Sequence, residues 1–194
     1  MEKFDETKGR KVAINIVSAN VFSIVLLIVS GVVFIVPFFL IWGEADLGSG
    51  RSVFGFTGLW LLIAFFAGIV VHELLHGITW ACYAKGGWKS ISFGVMWKLL
   101  TPYCHCNEPM GVKAYLAGAL MPLLVLGIIP AVVSLMIGST VLLGWGILFI
   151  AAASGDIWMS WLLTKEDPES TILDHPTEAG FYVFDKEADV TPNE

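Results

Sequence analysis

Charge is scarce in this sequence. Only 14% of the 194 residues are Asp, Glu, Lys or Arg, while 56% are hydrophobic and the mean hydropathy is +0.76. A soluble core of this length does not need so much apolar surface, so an ordinary soluble domain is excluded and a membrane protein is indicated. Cysteine is scarce as well: Cys82, Cys104 and Cys106 cannot all pair, and a disulfide framework is excluded. Internal repeats and low-complexity tracts are absent, and with them the paired repeats usual in secondary transporters. The opening apolar run is expected to be a retained span and not a cleavable signal peptide. The first apolar run is roughly 30 residues against about 7–15 for a signal peptide's apolar region, and no small-residue cleavage site follows it.

What the sequence does contain is four apolar runs of membrane-spanning length, at about 12–42, 56–83, 114–137 and 141–163. The expected fold class is an all-α membrane protein with four transmembrane helices and a small β-hairpin-like cytoplasmic loop. Residues 1–163 form the four-span unit, with its loop at 84–113, and residues 164–194 an acidic cytoplasmic tail. Lys3, Lys8, Arg10 and Lys11 precede the first span, and Lys85, Lys89, Lys98 and Lys113 populate the middle loop. The loop 43–55 has only Arg51 against Glu44 and Asp46. Excess Lys and Arg marks the cytoplasmic side, so both termini and the middle loop are expected there, in a cell membrane. The net charge of −6 reflects the acidic tail and says little about a partner; nothing points to a nucleic acid.

One stretch breaks the apolar pattern. "IVVHELLHGITW", residues 69–80, puts two histidines and a glutamate inside a spanning run. Ionisable residues there cost about 2.5–3.5 kcal/mol each on insertion scales, so something must compensate them. Histidines four apart on a helix share a face and can reach one metal ion, with the intervening glutamate beside a water in an open position. H-E-x-x-H on a helix therefore reads as a zinc hydrolase site, with His72 and His76 as ligands and Glu73 as general base. Across all four runs the only other Asp, Glu, Lys, Arg or His is Asp156. Catalytic zinc sites use three protein ligands and keep one position open, and two histidines plus this aspartate make such a set.

Depth agrees. Trp80 and Tyr83 in the second span, and Trp158 and Trp161 in the fourth, read as belts at the cytoplasmic interface. At ~1.5 Å per residue, His76 and Asp156 both fall ~6–8 Å inside those tryptophans.

HELLH in a membrane helix with an aspartate from a later helix resembles the site-2 protease type of intramembrane zinc metalloprotease. More closely, the sequence resembles the zincin peptidase family of small bacterial membrane proteins, in "HELLHG", "TPYCHCNEPM", "SGDI" and "LDHPTEAGFYVF". The resemblance implies a peptidase with His72 and His76 on zinc, Glu73 as catalytic acid/base and Asp156 as third ligand. Site-2 proteases usually hold that aspartate in a Leu-Asp-Gly context, whereas here it is Gly155-Asp156-Ile157.

Other polar features have two readings each. The alternation in "WKSISFGVMWKLLTPYC" predicts a hairpin at the membrane surface, either holding an extended substrate or covering the helix ends. Cys104-His105-Cys106 lacks the two-residue gap of a zinc knuckle; His105 is a candidate for positioning substrate. Asp174, before His175-Pro176, is the alternative third ligand, and residues 181–184 read as a short strand. Pro122 and Pro130 free backbone groups in the third span, and Asn15 and Asn20 read as interhelical hydrogen bonders.

Together these features predict a membrane zinc endopeptidase, acting in the lipid bilayer on membrane or membrane-adjacent protein substrates near the cytoplasmic face. The competing functions are a catalytically silent metal-binding chaperone or partner protein and a small transporter with a His/Glu/Asp relay.

Overall fold

The computed structural model describes residues 9–43, 56–97, 101–175 and 178–185. Lys3, Lys8, Lys98, Pro176 and the 43–55 loop's Glu44, Asp46 and Arg51 lie outside them. The described chain is mostly helical. Helix α1 spans Ile16–Trp42, α2 Phe56–Tyr83, α3 Val112–Pro122, α4 Ile129–Ile137, α5 Thr140–Ala152 and α6 Ser154–Leu163. Three helical stretches are long and apolar enough to cross a membrane, Ser18–Trp42, Gly58–Tyr83 and Val112–Ile137. The pair α5 and α6, bent by 48°, makes a fourth if taken as one span. Their flanks stay apolar where nothing covers them: Leu40 is 82% exposed and Ile24 60%. In water such flanks would be a liability, so these helices point to a membrane protein.

Two small sheets accompany the helices, so the expected all-α class is corrected. The predicted hairpin is present: β2, Ile91–Met96, pairs antiparallel with β3, Thr101–Cys106. Of the second sheet only the strand at 181–184 was expected. Its strands are β1 (Arg10–Ala13), β4 (Met110–Gly111), β5 (Thr171–Asp174) and β6 (Gly180–Phe184), in the order β1-β6-β5-β4. It joins the N-terminal arm, the middle loop and the tail, so each helical excursion between them goes out and returns. Strand β1 takes the start of the first apolar run, with Val12 opposite Phe181, and α1 begins only at Ile16. Asn15 is its cap: the side-chain oxygen accepts the Ser18 N–H at 3.3 Å.

The main core lies beneath this sheet. Phe181 and Val183 alternate inward from β6, and with Ile172 they meet Tyr115, Leu163 and Trp80 from the helix ends. The described residues of the tail, 164–175 and 178–185, are therefore packed structure, and Arg10 and Lys11 pair with Glu166 and Glu178 across it.

Two helix irregularities follow from particular residues. Pro130 has no N–H to give the preceding turn, and the chain widens into π turns over Leu123–Ile128 between Pro122 and Pro130. The fourth apolar run breaks at Ala153, immediately before Ser154-Gly155, a pair at which helices commonly kink.

Candidate metal centre

Helix α2 delivers two imidazoles to one face. His72 and His76 are both buried, with ring centroids 4.9 Å apart. The break at Ala153 turns α6 so that Asp156 sits in its first turn, where the helix dipole favours a carboxylate. Asp156 Oδ2 lies 3.1 Å from His72 Nε2, and Oδ1 lies 3.4 Å from His76 Nε2. One ligand atom from each residue falls within 4.8 Å of the others, and no other group of three such residues forms among those described.

Backbone contacts fix the orientation. His76 Nδ1 is 2.9 Å from the Gly118 carbonyl, which can only accept, so Nδ1 carries the proton. In the neutral ring Nε2 is then a lone pair facing an aspartate oxygen. A second ring proton or a metal cation must stand between them. A histidine whose other nitrogen donates to a carbonyl is the usual arrangement of a metal ligand. On this donor set the site fits zinc.

Close approaches hold the surroundings. A Cβ on Gly118 would lie 2.0 Å from Trp80 Nε1, and one on Gly77 would lie 2.6 Å from Phe93, so α3 and the hairpin reach α2 only because these residues are glycine. Trp80 is not an interfacial anchor. It is 5% exposed, stacks on His76 at 5.2 Å and donates to the Tyr115 carbonyl at 3.1 Å. Tyr83 and Trp161 do remain exposed.

A cavity of about 500 Å³ opens beside the group, lined by Glu73, His105, Asp174 and the three converging residues among others. Glu73 is half-buried and interacts with the Cys104 backbone. A family model described as "Putative zincin peptidase" matches residues 65–171. The chain belongs to that family. No curated protein and no solved structure matches the chain. Membership of the zincin peptidase family suggests a zinc metallopeptidase, and the matched segment holds His72, Glu73, His76 and Asp156.

The remaining candidates sit elsewhere around the cavity. Asp174 stands apart from the His72, His76 and Asp156 group. Its Oδ1 accepts the Tyr115 hydroxyl and its Oδ2 the Cys106 N–H at 2.8 Å. Burial pushes its carboxyl above the ordinary range, while His105 and the Cys106 N–H pull it down. His105 Nδ1 is 3.7 Å from Asp174 Oδ2. Burial also raises the thiols of Cys104 and Cys106, the latter to about 11, which keeps them protonated. Sequence reasoning missed Tyr115 and Gly118, three apart on one face of α3; the one signal was Tyr115 as the single aromatic residue of the third run.

Proposed function

We propose that this protein is an integral-membrane zinc endopeptidase of the site-2 protease type, cutting membrane or membrane-adjacent proteins near the cytoplasmic face. One observation carries the proposal: His72, His76 and Asp156 converge on a cavity wall that also holds Glu73. Zinc held by the three side chains would supply Lewis acidity to a scissile carbonyl and acidify water. Glu73 takes the proton released as water adds to the carbonyl carbon. It passes that proton to the amide nitrogen as the C–N bond breaks, leaving a carboxylic acid and an amine, between which the acid proton then passes to give carboxylate and ammonium. His105, on the same cavity, positions the substrate. A substrate helix must unwind first, because its carbonyls are hydrogen-bonded.

The break at Ala153 also suits a transporter, whose sites use discontinuous helices. Three ligand atoms closing on one point, with a carboxylate alongside, weigh for hydrolysis.

Purified protein is expected to contain about one zinc per chain. It should cleave fluorescein-labelled casein in detergent, lose this with 1,10-phenanthroline and regain it with zinc. Metal-free protein with undiminished cleavage would refute the proposal.

The sidedness rests on the Lys and Arg pattern, and the sheet uniting arm, loop and tail supports placing all three on one face. A membrane-impermeant thiol reagent applied outside whole cells should label a cysteine placed at Ser49 and miss one placed in the tail. Labelling of the tail would invert the orientation.

A further inference from the structure

Gly155 precedes Asp156 in the first turn of α6 and lines the same cavity as the two histidines. Inside a folded chain a glycine is usually demanded by a left-handed backbone or by a neighbour standing where the Cβ would be. Neither demand exists here. The glycines with positive φ among the described residues are Gly43, Gly87 and Gly138. A Cβ on Gly155 would meet nothing within 4 Å, in contrast to 2.0 Å at Gly118 and 2.6 Å at Gly77. Gly111 and Gly144 are open in the same way, but neither lines the cavity. The bend at Ala153 does not account for the residue sterically, since alanine would fit at 155 and favour the helix. The chain thus keeps a side chain's worth of room beside a candidate metal ligand. The walls decide what suits it. Met159, four residues on, shares a face of α6 with Gly155, and Ala152, the last residue of α5, lines the cavity too. None of the three side chains carries a charge or a strong hydrogen-bonding group, so an apolar group gains by entering and a charged one loses its hydration. The methionine thioether adapts to the shape of what it meets. Asp156 is the next residue and consecutive Cα atoms are ~3.8 Å apart, so the room lies about one residue's length from the reacting centre.

We propose that Ala152, Gly155 and Met159 form the subsite for an apolar side chain on a residue flanking the scissile bond, and that Gly155 sets its size. The protein then selects chains with a residue such as leucine at that position over those with glycine, alanine or a charged residue. The inference deepens the peptidase reading and rests on it. It gives the break at Ala153 a second consequence: the turn that presents Asp156 also presents the floor of the subsite.

The test uses full-length, zinc-loaded protein in detergent. Mass spectrometry of a casein digest gives the cleavage sites, and peptides copied from the fastest site carry Leu or Ala at each flanking position in turn. Small differences of side chain in an apolar pocket are worth about 10- to 200-fold. At one flanking position wild type is expected to favour leucine in kcat/KM by a factor in that range. Gly155→Val should bring this ratio to about one or reverse it, and Gly155→Ala should fall between, both with wild-type zinc content. Should Gly155→Val fail to fold, Gly155→Ala, which meets no neighbour, carries the test by itself. A wild-type ratio of about one at both positions, a ratio unmoved by enlarging residue 155, or loss of zinc from Gly155→Ala would overturn the proposal. A second readout needs no turnover. Calorimetry compares hydroxamates bearing an isobutyl group on one or the other side of the metal-binding group with parents lacking it. One isobutyl compound should bind wild type roughly 10- to 100-fold tighter than its parent and lose that advantage in Gly155→Val. Equal affinities, or no binding of any of these compounds, would overturn the subsite. If wild-type protein leaves casein intact while the isobutyl compound still binds tighter, the peptidase reading fails and the apolar subsite stands. Cleavage without side-chain preference keeps the reading and removes the subsite.

Discussion

Glu73→Gln is expected to keep near-normal zinc and to lose proteolysis by several orders of magnitude. Glutamine has almost the same shape and fills the same half-buried place beside Cys104, so the packing of α2 against the hairpin is preserved. It cannot accept a proton. General acid–base catalysis contributes about 10²–10⁴-fold by itself, and here one carboxylate serves both proton transfers. Glu73 is outside the group of converging ligand atoms, so zinc content should not follow activity. Metal analysis beside casein cleavage, and a proteome comparison of cells carrying each form, would measure the two effects separately. Loss of zinc in Glu73→Gln would make Glu73 a ligand. Undiminished cleavage would remove it from water activation.

Much of the candidate site was legible because membranes make ionisable residues conspicuous. In a soluble protein Asp156 would be one acid among many; in these runs it is the one ionisable residue besides His72, Glu73 and His76, and it lands 3.4 Å from His76. The count of ionisable residues in the four runs was enough to predict that meeting; the matching depth rested on Trp80, which packs inward instead of marking an interface. The β2–β3 hairpin was legible for a similar reason, since alternation over six residues is a strong local pattern. The four-stranded sheet was not. Its strands are two to five residues long, and Arg10 pairs with Val183 across nearly the whole chain, so no local window contains both partners. Strand β1 was also hidden inside an apolar run that hydropathy assigns to the first span. Trp80 was misplaced because an aromatic near a span's end is usually interfacial; Gly118 lets it pack inward, and that requires knowing which face of α3 approaches. The break at Ala153 left a sign in Ser154-Gly155, but hydropathy averages over it.

Consider what the fold does with the charges it places among apolar helices. His72, His76 and Asp156 bring their polar atoms to one point, and the sheet closes the same end of the helices over a cavity of about 500 Å³. The glycines at 77 and 118 then bring the hairpin and α3 against α2. The polar centre is thus assembled from α2, α3, α6, β3 and β5, and no single span could hold it.

Asp156→Ala should abolish tight zinc binding, as His72→Ala should, while Asp174→Ala leaves zinc content near wild type. The argument begins with His76. Its Nδ1 proton is committed to the Gly118 carbonyl, so its Nε2 meets Asp156 Oδ1 with nothing to donate unless a second proton is bound. A cation between them satisfies both lone pairs, and the carboxylate offsets its charge. Removing the carboxylate leaves two imidazoles, too few ligands for a catalytic zinc site. Loss of a residue that merely supports a ligand costs about 10–100-fold in metal affinity, and loss of a ligand should exceed that. Asp174 has both oxygens engaged by Tyr115 and Cys106 and stands outside the ligand group, so its removal should reach zinc only weakly. Zinc titration against a competing chelator would rank the three variants. Equal losses from Asp156→Ala and Asp174→Ala would mean that Asp174 takes part in holding the metal. Normal zinc affinity in Asp156→Ala would leave the third ligand to be found among the other cavity residues, His105 first.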